Sequence, residues 1–146
     1  MNRNRDYRPH RIGGFTLIEI MVVVVIIGLL VGIVAPNVME RLSRAEIGAA
    51  EADIKSISTA LDFFRMDHYR YPTGDEGLEV LRGDAEIDGK TVAEHLQTDP
   101  IDPWGRPYIY AYPSAHGDAY DVYSLGADGE EGGEGANADI GSWNIR

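Results

Sequence analysis

The stretch Gly13-Gly14-Phe15-Thr16-Leu17-Ile18-Glu19 separates a basic head from a long apolar run, and this junction constrains the rest of the chain most strongly. No charged residue occurs from Ile20 to Ala35. The head carries a single acid, Asp6, and four arginines: Arg3, Arg5, Arg8 and Arg11. A basic head before an apolar segment is typical of membrane insertion, but a secretory signal carries its small residues after that segment. Cleavage at the glycine pair would therefore leave the apolar segment on a mature chain that begins at Phe15.

The junction resembles the prepilin-peptidase site of type IV pilins and type II secretion pseudopilins, in which glycine precedes phenylalanine and glutamate occupies the fifth mature position. The resemblance extends from Gly14 to about Pro36. It implies that a prepilin peptidase, which is also an N-methyltransferase, cleaves between Gly14 and Phe15 and methylates the new amine. It also implies a type IV pilin-like division into a leader peptide, a membrane-spanning and filament-core helix, and a globular domain: residues 1–14, 15–36 and 37–146.

Glu19 places a carboxylate inside the segment that must enter lipid. A charged side chain at membrane depth costs about 2.5 to 3.5 kcal/mol on insertion scales, so a partner is expected. The candidate is the amine of Phe15 on a neighbouring subunit, because such a pair would offset the desolvation of both groups and fix the axial register. The resemblance gives Glu19 the same assembly role. The alternative is an uncleaved signal anchor that merely tolerates this carboxylate.

The apolar segment from Phe15 to Ala35 is long enough for one membrane crossing. Its 21 residues would span about 31 Å as a helix, and a bilayer core is about 30 Å thick. The arginines of the head should stay in the cytoplasm, which directs the carboxyl terminus to the far side. Together with the pilin resemblance, this predicts a single-pass inner-membrane protein with a periplasmic domain.

An apolar stripe with helical spacing continues beyond Pro36. Its members are Ile47, Ala50, Ile54, Ile57, Leu61 and Phe64. A continuous helix from about Phe15 to His68 would be roughly 80 Å long, too long for one small domain to cover. We expect the stripe to pack on the chain's own domain. Lipid or other copies of the chain must then bury the first half of the helix. This arrangement is the one expected in a filament with a helical core.

The remainder of the chain is punctuated by Pro and Gly and contains short predicted elements. Glu76 to Arg82 is predicted to form a small helix. Tyr108–Tyr112 and Ala119–Tyr123 are aromatic and β-branched runs that predict an antiparallel pair of strands. Residues 83–97 carry no recognisable motif. The fold class is therefore α+β, with a long amino-terminal helix packed on a small antiparallel sheet.

Three later motifs are similar in order and wording to those of the major pseudopilin family of type II secretion. They are Tyr71-Pro72-Thr73, Asp102-Pro103-Trp104-Gly105-Arg106-Pro107-Tyr108, and Tyr120-Asp121-Val122-Tyr123-Ser124-Leu125-Gly126-Ala127-Asp128-Gly129. The resemblance implies a subunit of a Gram-negative bacterium that polymerises into a periplasmic filament driving export of folded proteins. Its implied partners are other copies of itself, minor pseudopilins and an inner-membrane secretion platform. The alternative is a type IV pilin that forms a surface fibre for adhesion or motility.

Composition limits the other classes of function. Removing residues 1–14 leaves 9 basic against 23 acidic residues, a net charge of -14, which disfavours binding to nucleic acid. The absence of cysteine excludes disulfides and thiolate metal sites, and the chain also lacks the cysteine pair of many type IV pilins. The four histidines are scattered and no nucleophile elbow or phosphate-binding motif occurs, so we expect no enzyme activity. Beside the pseudopilin and the type IV pilin, the third alternative for the function of the chain is a membrane-anchored, calcium-binding enzyme.

The segment from Leu125 to Asp139 concentrates carboxylates among glycines. Its acids are Asp128, Glu130, Glu131, Glu134 and Asp139. Crowded carboxylates repel one another unless a cation joins them, and oxygen ligands in a flexible glycine-rich loop suit Ca²⁺. A loop that simply faces water is the alternative, because charge runs are usually solvated.

The pseudopilin resemblance favours the calcium reading, since it implies one Ca²⁺ held by two side chains and several carbonyls of the carboxyl-terminal loop. Asp128 corresponds to the first carboxylate and Leu125 to a carbonyl donor. The second side chain is Asp139 or Asn137, of which Asp139 is favoured for its charge. Two further carbonyl donors are expected from the loop: Glu130 and Gly133.

Overall fold

One helix dominates the computed structural model, which describes residues 14–87 and 89–145 apart from the side chain of Pro36. This helix, α1 (Leu17–His68), contains 52 residues and confirms the continuous helix that the sequence predicts. The predicted leader lies outside the described residues except for Gly14. Contacts divide the chain into two compact units, one ending at Met39 and the other beginning at Glu40.

The start of α1 is set by Thr16. Its hydroxyl accepts a hydrogen bond from the Glu19 amide at 3.2 Å, and its carbonyl accepts the amides of Glu19 and Ile20 at 3.1 and 3.3 Å. A threonine at the N-cap with a glutamate three residues later is a favourable helix start. The helix therefore begins just after the predicted cleavage position.

The described part of the first unit, residues 14–39, has no buried core. The large apolar side chains from Phe15 to Met39 are between 46% and 80% exposed. In the part of the chain that the structure describes, α1 is long and apolar enough to cross a membrane. This much exposed apolar surface is unfavourable in water and requires lipid or protein to cover it.

The second unit has a conventional core against the carboxyl-terminal half of α1. The predicted stripe is buried from Ala50 onward, whereas Ile47 is partly buried at its margin. Apolar side chains from the later elements complete the core: Leu78, Val80, Leu81, Ile87, Val92, Leu96, Tyr108, Val122 and Ile140. The expectation that this stripe packs on the chain's own domain is confirmed.

The predicted small helix is shorter than expected. A single 3₁₀ turn covers Glu79–Arg82, although Leu78 and Leu81 are buried as the pattern indicates. Glu76 lies in a separate turn, where its carboxylate accepts two hydrogen bonds from the Arg70 guanidinium, both at 2.6 Å, and one from the Thr73 amide at 2.7 Å. The next residue, Gly77, has a φ of +60°, a left-handed conformation that interrupts a helix before Glu79. The helix prediction was therefore wrong before Glu79.

Within the residues that the structure describes, five short strands form two antiparallel sheets. The first pairs β1 (Glu86–Ile87) with β2 (Lys90–Thr91), inside the stretch where the sequence shows no motif. The second has the order β3-β4-β5: β3 (Ile109–Ala111), β4 (Asp121–Ser124) and β5 (Ile140–Gly141). Pairing of β3 with β4 confirms the predicted antiparallel pair, with shorter bounds. Strand β5 returns beside β4, so the acidic segment becomes a loop closed at its base.

Candidate functional site: the amino-terminal junction and the carboxyl-terminal loop

The predicted cleavage position lies in irregular, exposed backbone. Gly14 and Phe15 precede α1, and Phe15 is 80% exposed. Among the described residues other than its chain neighbour, no atom lies within 4 Å of the position that a Cβ on Gly14 would occupy. Proteases favour accessible segments outside regular structure, and Gly14 and Phe15 are both exposed and irregular.

Glu19 lies in the first turn of α1 and is exposed in this single copy. Its amide is held by Thr16, but among the described residues its carboxylate has no hydrogen bond or ion pair. An acid in the first turn is favourable toward the helix dipole, so part of its role is local. The carboxylate itself remains free for a group outside the chain, as its predicted assembly role requires.

The carboxyl-terminal loop is closed by contacts between its two ends. The Ala127 amide donates to the Ala136 carbonyl at 2.8 Å. Gly126 has a φ of +66°, and a Cβ there would lie 2.8 Å from the carbonyl oxygens of Ala136 and Ala138. Only glycine allows this approach in a left-handed backbone conformation.

Asp139 is tied to the middle of the loop. Its Oδ2 accepts the Gly132 amide at 2.9 Å, and its own amide donates to the Gly132 carbonyl at 3.2 Å. Its Oδ1 is buried and has no hydrogen-bond partner in the described part of the chain. Asn137 approaches Gly133 through its backbone carbonyl and is exposed. The two candidates for the second ligand thus differ, since Asp139 alone offers a buried oxygen that lacks a partner.

Asp128 occupies the turn that follows the closure of the loop. It is exposed, and its Oδ1 accepts the Glu130 amide at 3.1 Å. Among the described residues, no hydrogen bond is donated to the carbonyl oxygens of the three other predicted ligands: Leu125, Glu130 and Gly133. These oxygens are therefore uncommitted, as ligands of a cation would be.

The donor set fits a hard cation better than a transition metal. Within residues 14–87 and 89–145, no three His, Cys, Asp or Glu side chains gather where they could hold a metal ion. Two carboxylates supplemented by carbonyl oxygens are a calcium-type set, whereas zinc sites require several side-chain ligands. The partnerless Oδ1 of Asp139 supports the fit, because a buried carboxylate oxygen normally finds a partner.

Arg106 supplies a cation to the loop, a role that the sequence did not reveal. Its Nη2 donates to the Gly126 carbonyl, and its guanidinium lies 3.0 to 3.1 Å from where a Cβ on Gly129 would be. The acidic segment contains no basic residue of its own. The guanidinium that contacts its Gly126 carbonyl comes from a turn 20 residues earlier in the chain. The only feature of the sequence that singles out Arg106 is its position in the Asp102-to-Tyr108 motif.

The turn that carries Arg106 is held together by a buried carboxylate. Asp102 is 4% exposed, and its Oδ1 accepts the amides of Trp104 and Arg106 at 3.1 and 2.8 Å. Trp104 packs against the core. The turn is therefore fixed both by hydrogen bonds and by an aromatic side chain.

His116 lies in a cluster with an aromatic ring and a buried carboxylate. Its ring stacks on Trp143 with centroids 3.7 Å apart, and Nδ1 lies 3.0 Å from Oδ2 of Asp121. Burial raises the pKa of Asp121, but hydrogen bonds from Ser114, the Ala115 amide and His116 outweigh it and leave that pKa below its usual range. This cluster braces the base of β4 and carries no nucleophile exposed to a substrate pocket.

Two family models match the chain. Residues 37–143 match the model described as type II secretion system protein G. Residues 9–35 match the prokaryotic N-terminal methylation motif. The two matches together cover the junction, α1 and the second unit.

Relatives that match this chain over nearly its whole length are described as core protein G of the type II secretion system. The type II secretion system core protein G of Pseudomonas aeruginosa is 48% identical over 134 residues, covering 89% of this chain and 94% of its own length. The core protein G of Vibrio cholerae is 45% identical, with 91% and 92% covered. The crystal structure of the major pseudopilin of enterohaemorrhagic Escherichia coli superposes with a TM-score of 0.61 at 29% identity, covering 75% of this chain and 96% of that one.

Proposed function

The chain belongs to the type II secretion system protein G family, and we infer that it is the major structural subunit of the secretion pseudopilus. Copies of it polymerise into a periplasmic filament that drives folded proteins across the outer membrane. The observation that carries this inference is the first unit, whose helix is apolar, exposed and without a core. Such a surface is stable in the membrane before assembly and against other copies after it.

Processing by a prepilin peptidase precedes assembly. The methylation motif and the exposed, irregular backbone at Gly14 and Phe15 support cleavage between these residues and methylation of the new amine. Cleavage removes the arginine-rich head, which would otherwise hold the subunit at the cytoplasmic face. It also creates the amine that we pair with Glu19 of a neighbouring subunit.

The subunit is anchored in the inner membrane by α1, and we place the second unit in the periplasm. The positive head supports this orientation, because positive residues flanking a span are retained in the cytoplasm. Its proposed partners there are other copies, minor pseudopilins and the inner-membrane secretion platform. The acidic surface supports the absence of nucleic acid among them.

We propose that the carboxyl-terminal loop binds one Ca²⁺. Asp128 and Asp139 would hold it with the carbonyl oxygens of Leu125, Glu130 and Gly133. The ion would supply the charge that the loop lacks, since five carboxylates lie there with one nearby guanidinium. Its main effect would be to hold the loop folded, because binding only to the native state stabilises that state.

An enzymatic function and a surface-fibre function are weaker candidates. The family is a structural one, and the described residues show no pocket in which a nucleophile, a base and an orienting group converge. A surface fibre of the type IV pilin kind shares the helix but not the protein G match over residues 37–143.

Topology and self-association can be tested in the same cells. Protease added to spheroplasts should digest the second unit while intact cells protect it, and chemical cross-linking should give a ladder at multiples of the mature subunit mass. A second unit protected in spheroplasts would refute the orientation. Protein that runs only at the monomer mass after cross-linking would refute polymerisation.

A further inference from the structure

A closed ring of hydrogen bonds joins the Asp102 turn to the start of the carboxyl-terminal loop. Oδ1 of Asp102 accepts the Arg106 amide at 2.8 Å, and Oδ2 accepts the Ser124 hydroxyl at 2.5 Å. The same hydroxyl oxygen accepts the Gly126 amide at 3.2 Å. The Gly126 carbonyl then accepts Nη2 of Arg106, which closes the ring.

Most of this ring is shielded from water. Asp102 is 4% exposed, Ser124 is 1% exposed and Gly126 is buried. Hydrogen bonds to charged groups in such surroundings are stronger than those at a surface, and breaking one leaves a buried group without a partner. The ring therefore fixes where the chain leaves β4.

The guanidinium of Arg106 also contacts the loop beyond Asp128. Gly129 has a φ of +74°, and a Cβ on it would lie 3.0 Å from Cζ of Arg106. Arg106 thus hydrogen-bonds the backbone before Asp128, at Gly126, and its guanidinium lies beside the backbone after it, at Gly129. The side chain of Asp128 itself is exposed and has only the local bond to the Glu130 amide.

We propose that Arg106 is a positioning residue that sets the backbone on both sides of Asp128 and so orients this carboxylate toward the calcium loop. The calcium part rests on the proposed function, whereas the backbone part does not. Arg106 would act through Gly126 and Gly129 without ligating the ion.

The sign of the effect on calcium affinity distinguishes this proposal from simple electrostatics. A fixed positive charge beside a cation site repels the cation, so removing that charge would tighten binding if Arg106 acted only through its charge. If Arg106 positions the loop, removal weakens binding instead. Substitutions of residues that orient metal ligands typically cost about 10- to 100-fold in affinity.

The first test uses the full mature chain in a non-ionic detergent with calcium as the only added metal. Calorimetric titration should show Arg106→Ala binding Ca²⁺ at least about tenfold more weakly than the wild type, while Arg106→Lys, which keeps a donor for the Gly126 carbonyl, recovers part of the loss. Unchanged or tighter binding in Arg106→Ala would overturn the proposal.

A second variant keeps Arg106 and disturbs its contact. Gly129→Ala should also weaken binding, because its Cβ collides with the guanidinium. Gly135→Ala is the matched control, since Gly135 has a similar φ of +65° but no atom within 4 Å of a Cβ. Equal losses in the two alanine variants would mean that backbone strain alone is responsible, against the proposal.

Hydrogen exchange of the calcium-free protein tests the backbone role of Arg106 independently of whether the loop binds calcium. In Arg106→Ala, the amides from Gly126 to Glu130 should exchange faster while those of β1 and β2 stay unchanged. If the wild type binds no calcium but this local acceleration occurs, the calcium site fails and the backbone role of Arg106 stands. Uniform or absent acceleration would overturn that role.

Discussion

Asp139 and Gly132 hold each other through two hydrogen bonds, from the Gly132 amide to Oδ2 at 2.9 Å and from the Asp139 amide to the Gly132 carbonyl at 3.2 Å. This arrangement leaves Oδ1 of Asp139 buried and without a partner in the described part of the chain. A bound cation would satisfy that oxygen. The relationship makes Asp139 the stronger candidate for the second side-chain ligand.

Calcium should stabilise the full chain in proportion to the logarithm of its free concentration, by about 2.7 kcal/mol at one hundred times the dissociation constant. Asp128→Ala and Asp139→Ala should each abolish this response, since each removes a charged ligand. Asn137→Ala is the matched control and should retain it. Thermal unfolding in detergent, with calcium and with chelator, measures the effect. Loss of the response in Asn137→Ala, with the response kept in Asp139→Ala, would assign the second ligand to Asn137 instead.

Gly14→Val should block leader removal, because the larger branched side chain occupies the cleavage position. The measurement is the intact mass of the protein from cells with an active prepilin peptidase. The wild type should begin at Phe15 and carry one added methyl group, whereas the variant retains residues 1–14. A wild-type protein that keeps its leader in those cells would contradict the cleavage site.

Glu19→Leu should insert into the membrane at least as well as the wild type and fail to assemble. It removes a charge that is unfavourable in lipid and that we propose to pair with the Phe15 amine of another copy. Cross-linking ladders from membranes report assembly, and carbonate extraction reports insertion.

Thr16→Val is the matched control for that experiment. It removes the hydroxyl that accepts the Glu19 amide but keeps the carboxylate. If Glu19 served only the helix start, Thr16→Val would impair assembly as much as Glu19→Leu does. We expect it to assemble.

Glu76 should make the second unit sensitive to acid. The hydrogen bonds from Arg70 are the main cause that lowers its pKa to about 2, with help from Thr73 and against the effect of burial. Because the pKa is depressed in the folded state, the stabilisation is complete above the unfolded value near 4.5 and is lost as the pH falls toward 2.

Glu76→Gln should therefore lower stability at pH 7 by about 1 to 2 kcal/mol, and the difference from the wild type should shrink between about pH 5 and 2. Glu79→Gln removes the same charge from an exposed neighbouring position and serves as the control. Denaturant unfolding at several pH values gives the comparison. A difference that persists unchanged at pH 2 would show that the Arg70 contact does not cause the effect.

The long helix was predictable because its signals are local. The uncharged run before Ala35 is recognised by its length, and the stripe from Ile47 to Phe64 by its helical spacing, and both signals can be read without knowing the fold. The β1-β2 hairpin was not predictable, since its strands contain two residues each and mix charged with apolar side chains. Glu76 lies outside the helix because the next residue, Gly77, takes a left-handed conformation with a φ of +60°, which the helical pattern of the sequence did not reveal.

The residues of the candidate site also divide into those that the sequence predicted and one that it did not. Glycines and carboxylates marked the loop from composition alone, and the pseudopilin resemblance selected Asp128 within it. The second side chain was left between Asp139 and Asn137, with Asp139 favoured for its charge. Arg106 could not be found, because the turn that carries it reaches Gly126 only after β3, β4 and β5 have paired. A contact that depends on the whole fold leaves no periodic trace in the sequence.

The most direct test of the central claim is export across the outer membrane in the bacterium that encodes this chain. Deleting its gene should leave folded exoproteins in the periplasm, and the wild-type gene should restore their release while Glu19→Leu should not. The measurement is the fraction of one exoprotein in the medium. Unchanged export in the deletion strain, together with loss of surface fibres, would contradict the pseudopilus account and favour a type IV pilin.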